Sequence, residues 1–148
     1  MSRSVASRVL NDAPHVSRAK REAVERTVRD LGFVANTGDF EEAGGGAAMT
    51  RLIQAHPDLD GVFAANDNMA VGALRALRQA GRSVPGEVSV VGFDDLAVAQ
   101  IAEPALTTVH QPIRNLGREM ARMLVGLIGG QDPSPLLLPT HLVVRASS

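Results

Sequence analysis

Residues 61–95 read GVFAANDNMAVGALRALRQAGRSVPGEVSVVGFDD, and the rest of the chain is organised around them. Val62 to Ala65 and Val88 to Val91 are apolar runs of strand length. The segment between them has the period of a helix. The expected fold is therefore a right-handed βαβ unit with parallel strands, giving an α/β class with a parallel open sheet and flanking helices. Each strand closes on a polar pair, Asn66 with Asp67 and Asp94 with Asp95. Both pairs then fall at carboxyl ends of neighbouring strands, the edge where open α/β sheets collect ligands, because loops converge there and helix N-termini point outward.

Asn66 and Asp94 admit two readings at this edge. An amide both donates and accepts, and a carboxylate can accept from two hydroxyls, so the pair suits a hydroxylated ligand such as a sugar in a partly dry cleft. Asn and Asp also commonly cap helices and turns. The sequence chemistry leaves both open, with Asp67 and Asp95 assigned to capping and orientation, and Asp67 expected to be the N-cap of the following helix. That helix is apolar on two sides. Ala70, Leu74 and Leu77 form one stripe, and Met69, Gly72, Ala73, Ala76 and Ala80 form a second made mainly of small residues. A helix lying on one face of a sheet needs only one such stripe. The second is either buried within the chain or faces another chain.

The 148 residues suit one domain able to bury a sizeable core. Apolar content is 45% and charged content 21%, with no Trp or Tyr and four Phe, so the core is expected to be aliphatic. The absence of Cys excludes disulfides and thiolate metal sites and permits a cytoplasmic setting. The amino-terminal MSRSVASRVLND lacks a signal-peptide apolar region, and no apolar run approaches a membrane span, so no membrane partner is expected. Net charge is −1 but unevenly distributed. Residues 1–36 hold seven Lys or Arg against four Asp or Glu, and residues 37–148 hold eight against twelve. A basic head on a mildly acidic body suits a nucleic-acid module joined to something else.

The head reads as two short helices, Ser4 to Asn11 and, capped by Ser17, a second to about Leu31 ahead of Gly32. Beyond it, Glu41 to Ala55 is helical by the spacing of Ala48, Leu52 and Ala55, with Pro57 as its stop. Gly44, Gly45 and Gly46 lie in its first turns, each costing roughly 1 kcal/mol relative to Ala, so those turns are expected to be loose. Neither GxxxxGK(S/T) nor GxGxxG fits this run, so a phosphate role is not supported. A short helix at Leu96 to Ile101, a strand at Leu106 to His110, a helix from Ile113 to Ile128 and extended pieces at Leu136 to Leu138 and His141 to Val144 complete the chain.

Catalysis finds no support. Asp94 and Asp95 are adjacent and diverge at a strand end, and no partner acid is placed. His15, His56, His110 and His141 show no ligand spacing, and Ser7, Ser17 and Ser89 lack a nucleophile-elbow context. No catalytic residue, metal ligand or cofactor is assigned.

SRSVASRVLNDAPHVSRAKREAVERTVRDLGFVAN resembles the end of the helix-turn-helix domain of the LacI/GalR family of bacterial transcription regulators, and G..VP.(D/E)VSVVGFDD and GDF.E..G...A...L....P....VF are similar to its sugar-sensor domain. The resemblance implies two segments, residues 1–36 from a DNA-binding helix-turn-helix and residues 37–148 from the carboxyl-terminal part of a periplasmic-binding-protein-like sensor. It implies that Arg3, Ser4 and Ser7 face base edges or phosphates of operator DNA and that Arg8 lies near the DNA backbone. It further implies that Asn66 and Asp94 contact a sugar-like effector, and that Met69, Gly72, Ala73 and Ala76 serve a homodimer interface. The family pattern has another helix ahead of Met1, and between Asn36 and Thr37 it has a hinge and a first subdomain. An upstream start and an internal deletion near Thr37 are the corresponding expectations. The alternative function is a stand-alone dimerising or ligand-binding module without DNA activity. In the family the helix from Ile113 to Ile128 packs in the layer of that first subdomain. Without it, Ile113, Leu116, Met120, Met123, Leu124 and Leu127 need another cover. At roughly 1.5 to 3 kcal/mol each, their exposure would forgo on the order of 10 kcal/mol, comparable to a domain's net stability.

Overall fold

The computed structural model describes residues 17–19, 21–23, 26 and 39–148. The chain divides into two compact units, Met1–Thr37 and Gly38–Ser148. In the first, the described residues after Ser17 are helical. Arg21 N–H donates to the Ser17 carbonyl at 3.0 Å, and Arg18 pairs with Glu22 one turn on at 2.7 Å. The helix at Ser4 to Asn11, and with it Arg3, Ser4, Ser7 and Arg8, lies outside the described residues.

The second unit contains, in order, α1 (Glu42–Ala55), β1 (Gly61–Phe63), α2 (Asp67–Gln79), β2 (Ser89–Asp94), α3 (Ala97–Ile101), β3 (Thr107–His110), α4 (Ile113–Ile128) and β4 (His141–Val143). The strands form one sheet in the order β1-β2-β3-β4. β1 pairs β2 and β2 pairs β3 in parallel, with Phe63 opposite Val91 and Asp94 opposite His110. β4 runs antiparallel to β3, so the parallel pattern expected for the sheet stops at its last strand. Residues 136–138, expected to be extended, join no strand.

The core is aliphatic, as its composition requires. Met49, Leu77, Val88, Val90 and Leu106 are its largest wholly buried apolar side chains, gathered where α1, α2 and α3 meet the sheet. The glycine run of α1 is helical. A Cβ at Gly45 would overlap the backbone of Met69, and a Cβ at Gly72 would overlap the Glu42 carbonyl and lie 2.7 Å from the Gly46 nitrogen. Their missing side chains let two helix backbones touch, and that close packing offsets the poor helix propensity. Arg75 of α2 also pairs with Glu42 of α1.

This crossing accounts for the second apolar face of α2. Gly72, Ala73 and Ala76 are buried, and Met69 packs against the core from its rim. Within the chain, the face expected to meet a second chain packs against α1 at Met69 and Gly72.

Ser147 is stitched to β2 and β3. The Ser147 hydroxyl donates to the Val90 carbonyl at 2.6 Å and accepts from Thr107 N–H at 2.8 Å, while Val90 N–H donates to the Ser147 carbonyl at 2.8 Å. α4 is different. It contains no buried residue, and Met120, Leu124 and Ile128 are 61%, 58% and 79% exposed. Among the described residues no helix is long and apolar enough to cross a membrane.

Candidate functional site at the carboxyl edge of the sheet

α2 starts at the edge where β1 ends, and Asn66 makes the start. Its Oδ1 accepts Met69 N–H at 2.8 Å, satisfying one of the free donors of the first helical turn. Its Nδ2 donates to the Phe40 carbonyl at 2.8 Å, tying the approach to α1 to the same point. The cap is thus Asn66, one residue earlier than expected, and Asp67 is released for another task. Asp67 turns inward and is wholly buried. One carboxylate oxygen accepts Leu96 N–H at 2.7 Å and the other accepts the Thr108 hydroxyl at 2.6 Å. Burial pushes its pKa above the usual carboxylate value, and the charges of Asp94 and Asp95 act the same way, against the lowering effect of the two hydrogen bonds.

The end of β2 is bent sharply. Asp94 and Asp95 have φ of 106° and 58°, the left-handed side that side chains other than glycine's resist. Two such residues in succession cost on the order of 1–3 kcal/mol each and persist only where their surroundings hold them. Gln111 Nε2 donates to Asp94 at 2.6 Å. Arg145 Nη2 donates to Asp95 at 2.7 Å, and His110 Nδ1 lies 3.0 Å from its other oxygen. Burial raises the Asp95 pKa, but the hydrogen bonds and charges of Arg145 and His110 outweigh it, so the net displacement is downward. The ring of His110 lies 4.9 Å from that of His141, its partner across β4.

The two expected site residues lie at the carboxyl ends of neighbouring parallel strands. The parallel register of β1 and β2 runs as far as Phe63 opposite Val91; three residues beyond Phe63, Asn66 caps α2, and three beyond Val91, Asp94 ends β2. What they present is a partly exposed amide and carboxylate, each already oriented by one or two internal bonds. Such groups can still receive further hydrogen bonds, since an amide and a carboxylate have spare sites beyond those used. Gln111, His110, Thr108 and Arg145 belong to this edge and escaped the sequence reading. Gln111 directly follows an expected strand and could have been found from that position; Arg145, 50 residues from Asp95, carried no local signal. Among the described residues no group of three or more His, Cys, Asp or Glu could hold a metal ion.

Comparison with known proteins adds the family. The periplasmic binding protein-like domain matches residues 8–148. The lactose operon repressor of Rhizobium radiobacter is 43% identical over 90 residues, 60% of this chain and 80% of that protein. The chain belongs to the LacI/GalR family. Within this LacI/GalR chain the domain match starts at residue 8, inside the head that resembles a helix-turn-helix. The HTH-type transcriptional regulator CelR of Thermobifida fusca is 54% identical over 112 residues, 74% of this chain but 33% of CelR. A solved transcriptional regulator CelR–cellobiose complex superposes with a TM-score of 0.74 at 46% identity, covering 88% of this chain and 42% of that one. The lac repressor dimer bound to operator and an anti-inducer gives a TM-score of 0.72 at 30% identity, over 88% of this chain and 47% of that one. The chain spans about a third of CelR and, at 39%, little more of the ribose operon repressor of Halalkalibacterium halodurans. These relatives are named as transcriptional regulators, not as enzymes.

Proposed function

We propose that this chain is the effector-responsive part of a cytoplasmic LacI/GalR-type transcription regulator, with Asn66 and Asp94 as contacts for a sugar's hydroxyl groups. What supports the reading is that Asn66 caps α2 just after β1 and Asp94 ends β2, at the carboxyl ends of two paired parallel strands. The cellobiose held in the CelR complex makes that sugar the first to try.

Operator DNA and a second copy of the chain complete the proposal. DNA contact falls to Arg3, Ser4, Ser7 and Arg8 of the basic head. With the small-residue face of α2 turned inward, its outward side is the face available for a dimer. There Val71, Arg75 and Arg78 line a shallow groove with Ala102 and Glu103.

Calorimetry of the full chain with cellobiose, lactose and glucose is the test. Heat with one of them, weakened about tenfold or more by Asp94→Ala, is the expected result, since 1.4 kcal/mol is a tenfold change. No heat with any sugar sinks the sensor reading. Retardation of a palindromic DNA site that persists at moderate salt supports the DNA role, and binding that vanishes there removes it.

A further inference from the structure

Asp67 is buried without being needed as a cap, because Asn66 already fills that place. Its two hydrogen-bond partners are both neutral, the Leu96 amide and the Thr108 hydroxyl. A carboxyl group so placed gives up its hydration for two bonds, an arrangement that adds little to stability by comparison with an apolar side chain. Its geometry points to a different use. Asp67 directly follows Asn66, and Leu96 lies two residues beyond Asp94. The carboxyl therefore clasps the β1–α2 junction, the loop after β2 and the middle of β3 in one place. Gly92 leaves room for it, since a Cβ there would overlap Asp67 Oδ1 and lie 2.8 Å from Leu106 Cδ2. The bond to Leu96 also anchors the far side of the two strained residues, Asp94 and Asp95.

We infer that Asp67 is a positioning residue. Its carboxyl, through Leu96 N–H and Thr108 Oγ1, sets the separation and aim of Asn66 and Asp94 across the edge. This rests on the sugar-contact reading of those two residues. The sugar itself never touches Asp67.

The test uses the full chain labelled with nitrogen-15, following the side-chain NH2 signals of Asn66 and Gln111, the latter reporting on Asp94 through its hydrogen bond. Thr108→Val removes the hydroxyl at nearly constant shape, far in sequence from Asn66, whose signals are therefore the decisive ones for this variant, and Thr108→Ser restores it. The expected result is that Thr108→Val displaces both amide pairs and weakens cellobiose binding about tenfold, whereas Thr108→Ser behaves as the parent does. Asp67→Asn, which keeps the volume and one acceptor, is expected to displace the Gln111 pair as well. Should Thr108→Val not fold, Asp67→Asn decides on the Gln111 signals alone. Signals unmoved in a folded Thr108→Val or Asp67→Asn protein overturn the inference. If the parent chain gives no heat with cellobiose but the amide signals move, the positioning role stands and the sugar reading is what fails.

Discussion

Gly72 of α2 lies against the carbonyl of Glu42 in α1, so near that any Cβ at position 72 would overlap it. Gly72→Ala gains about 1 kcal/mol of helix propensity, but the clash is with backbone, which cannot rotate away. Overpacking of this kind costs about 1–3 kcal/mol or more, so a net loss of stability is expected in urea titration. Gly117 of α4 is the control, since nothing lies within 4 Å of a Cβ there. Gly117→Ala is expected to stabilise by about 0.5–1 kcal/mol. Equal effects at the two sites would refute the account of the α1–α2 crossing.

Asn66 has a structural duty that precedes any ligand. Asn66→Ala removes the acceptor for Met69 N–H and is expected to cost about 1 kcal/mol, within the 0.5–2 kcal/mol range of lost caps. Asn66→Asp keeps that acceptor, with its charge well placed at the helix N-terminus, and gives up only the bond to Phe40. Thermal melts of the pair check this. An Asn66→Ala chain as stable as the parent would show that the cap carries no weight.

Asp95 and Asp67 respond to acid in opposite senses. The Asp95 carboxyl is held below its ordinary pKa by Arg145 and His110, overcoming its burial. Its contribution is therefore present above the unfolded carboxylate value of about 3.9 and is lost as pH falls through the lower folded value. Arg145→Met removes most of that contribution, so the stability gap between parent and variant should narrow below about pH 4. Asp67, with a raised folded pKa caused chiefly by burial, contributes most in acid and loses that contribution as pH rises through the folded value. Asp67→Asn abolishes that dependence. Denaturation series across pH separate the two, and a constant gap for Arg145→Met rules out the Asp95 assignment.

Ser147 is the buried hydroxyl that joins Val90 to Thr107. Ser147→Ala leaves the Thr107 N–H without its acceptor, at an expected cost of about 1–3 kcal/mol. Urea midpoints measure it, and a change below about 0.5 kcal/mol, the ordinary effect of a surface substitution, would mean that water or the backbone replaces the hydroxyl.

Met120 and Leu124 stand exposed on a helix that contains no buried residue. Replacing both by Gln is expected to change stability by no more than about 0.5 kcal/mol per site, the range of ordinary surface substitutions. Binding of a hydrophobic dye should fall in the same variant. A large loss of stability would mean that in solution the apolar face of α4 is packed against something.

Periodicity carried most of the fold into the sequence reading. The α4 boundaries, Ile113–Ile128, follow from the spacing of its apolar residues, and the order of β1, α2 and β2 follows from two strand-length runs around a helical one. These are signals within a window of a few residues, where the chain's own pattern decides. Asn66 and Asp94 were legible for the same reason, each closing an apolar run. The exposure of the α4 stripe followed from a resemblance that implied its usual cover to be missing.

The remainder depended on residues far apart in the chain. Whether Asn66 or Asp67 caps α2 turned on Leu96 and Thr108, 29 and 41 residues from Asp67. Whether the small residues of α2 face a second chain or this one turned on the glycines of α1, which from sequence alone promised only a weak helix. Local spacing by itself determined which elements form and which polar residues end them, because backbone period and apolar burial act over single turns. Only the tertiary structure decided what those residues touch, because hydrogen bonds and close packing depend on groups brought together by the folding of the whole unit.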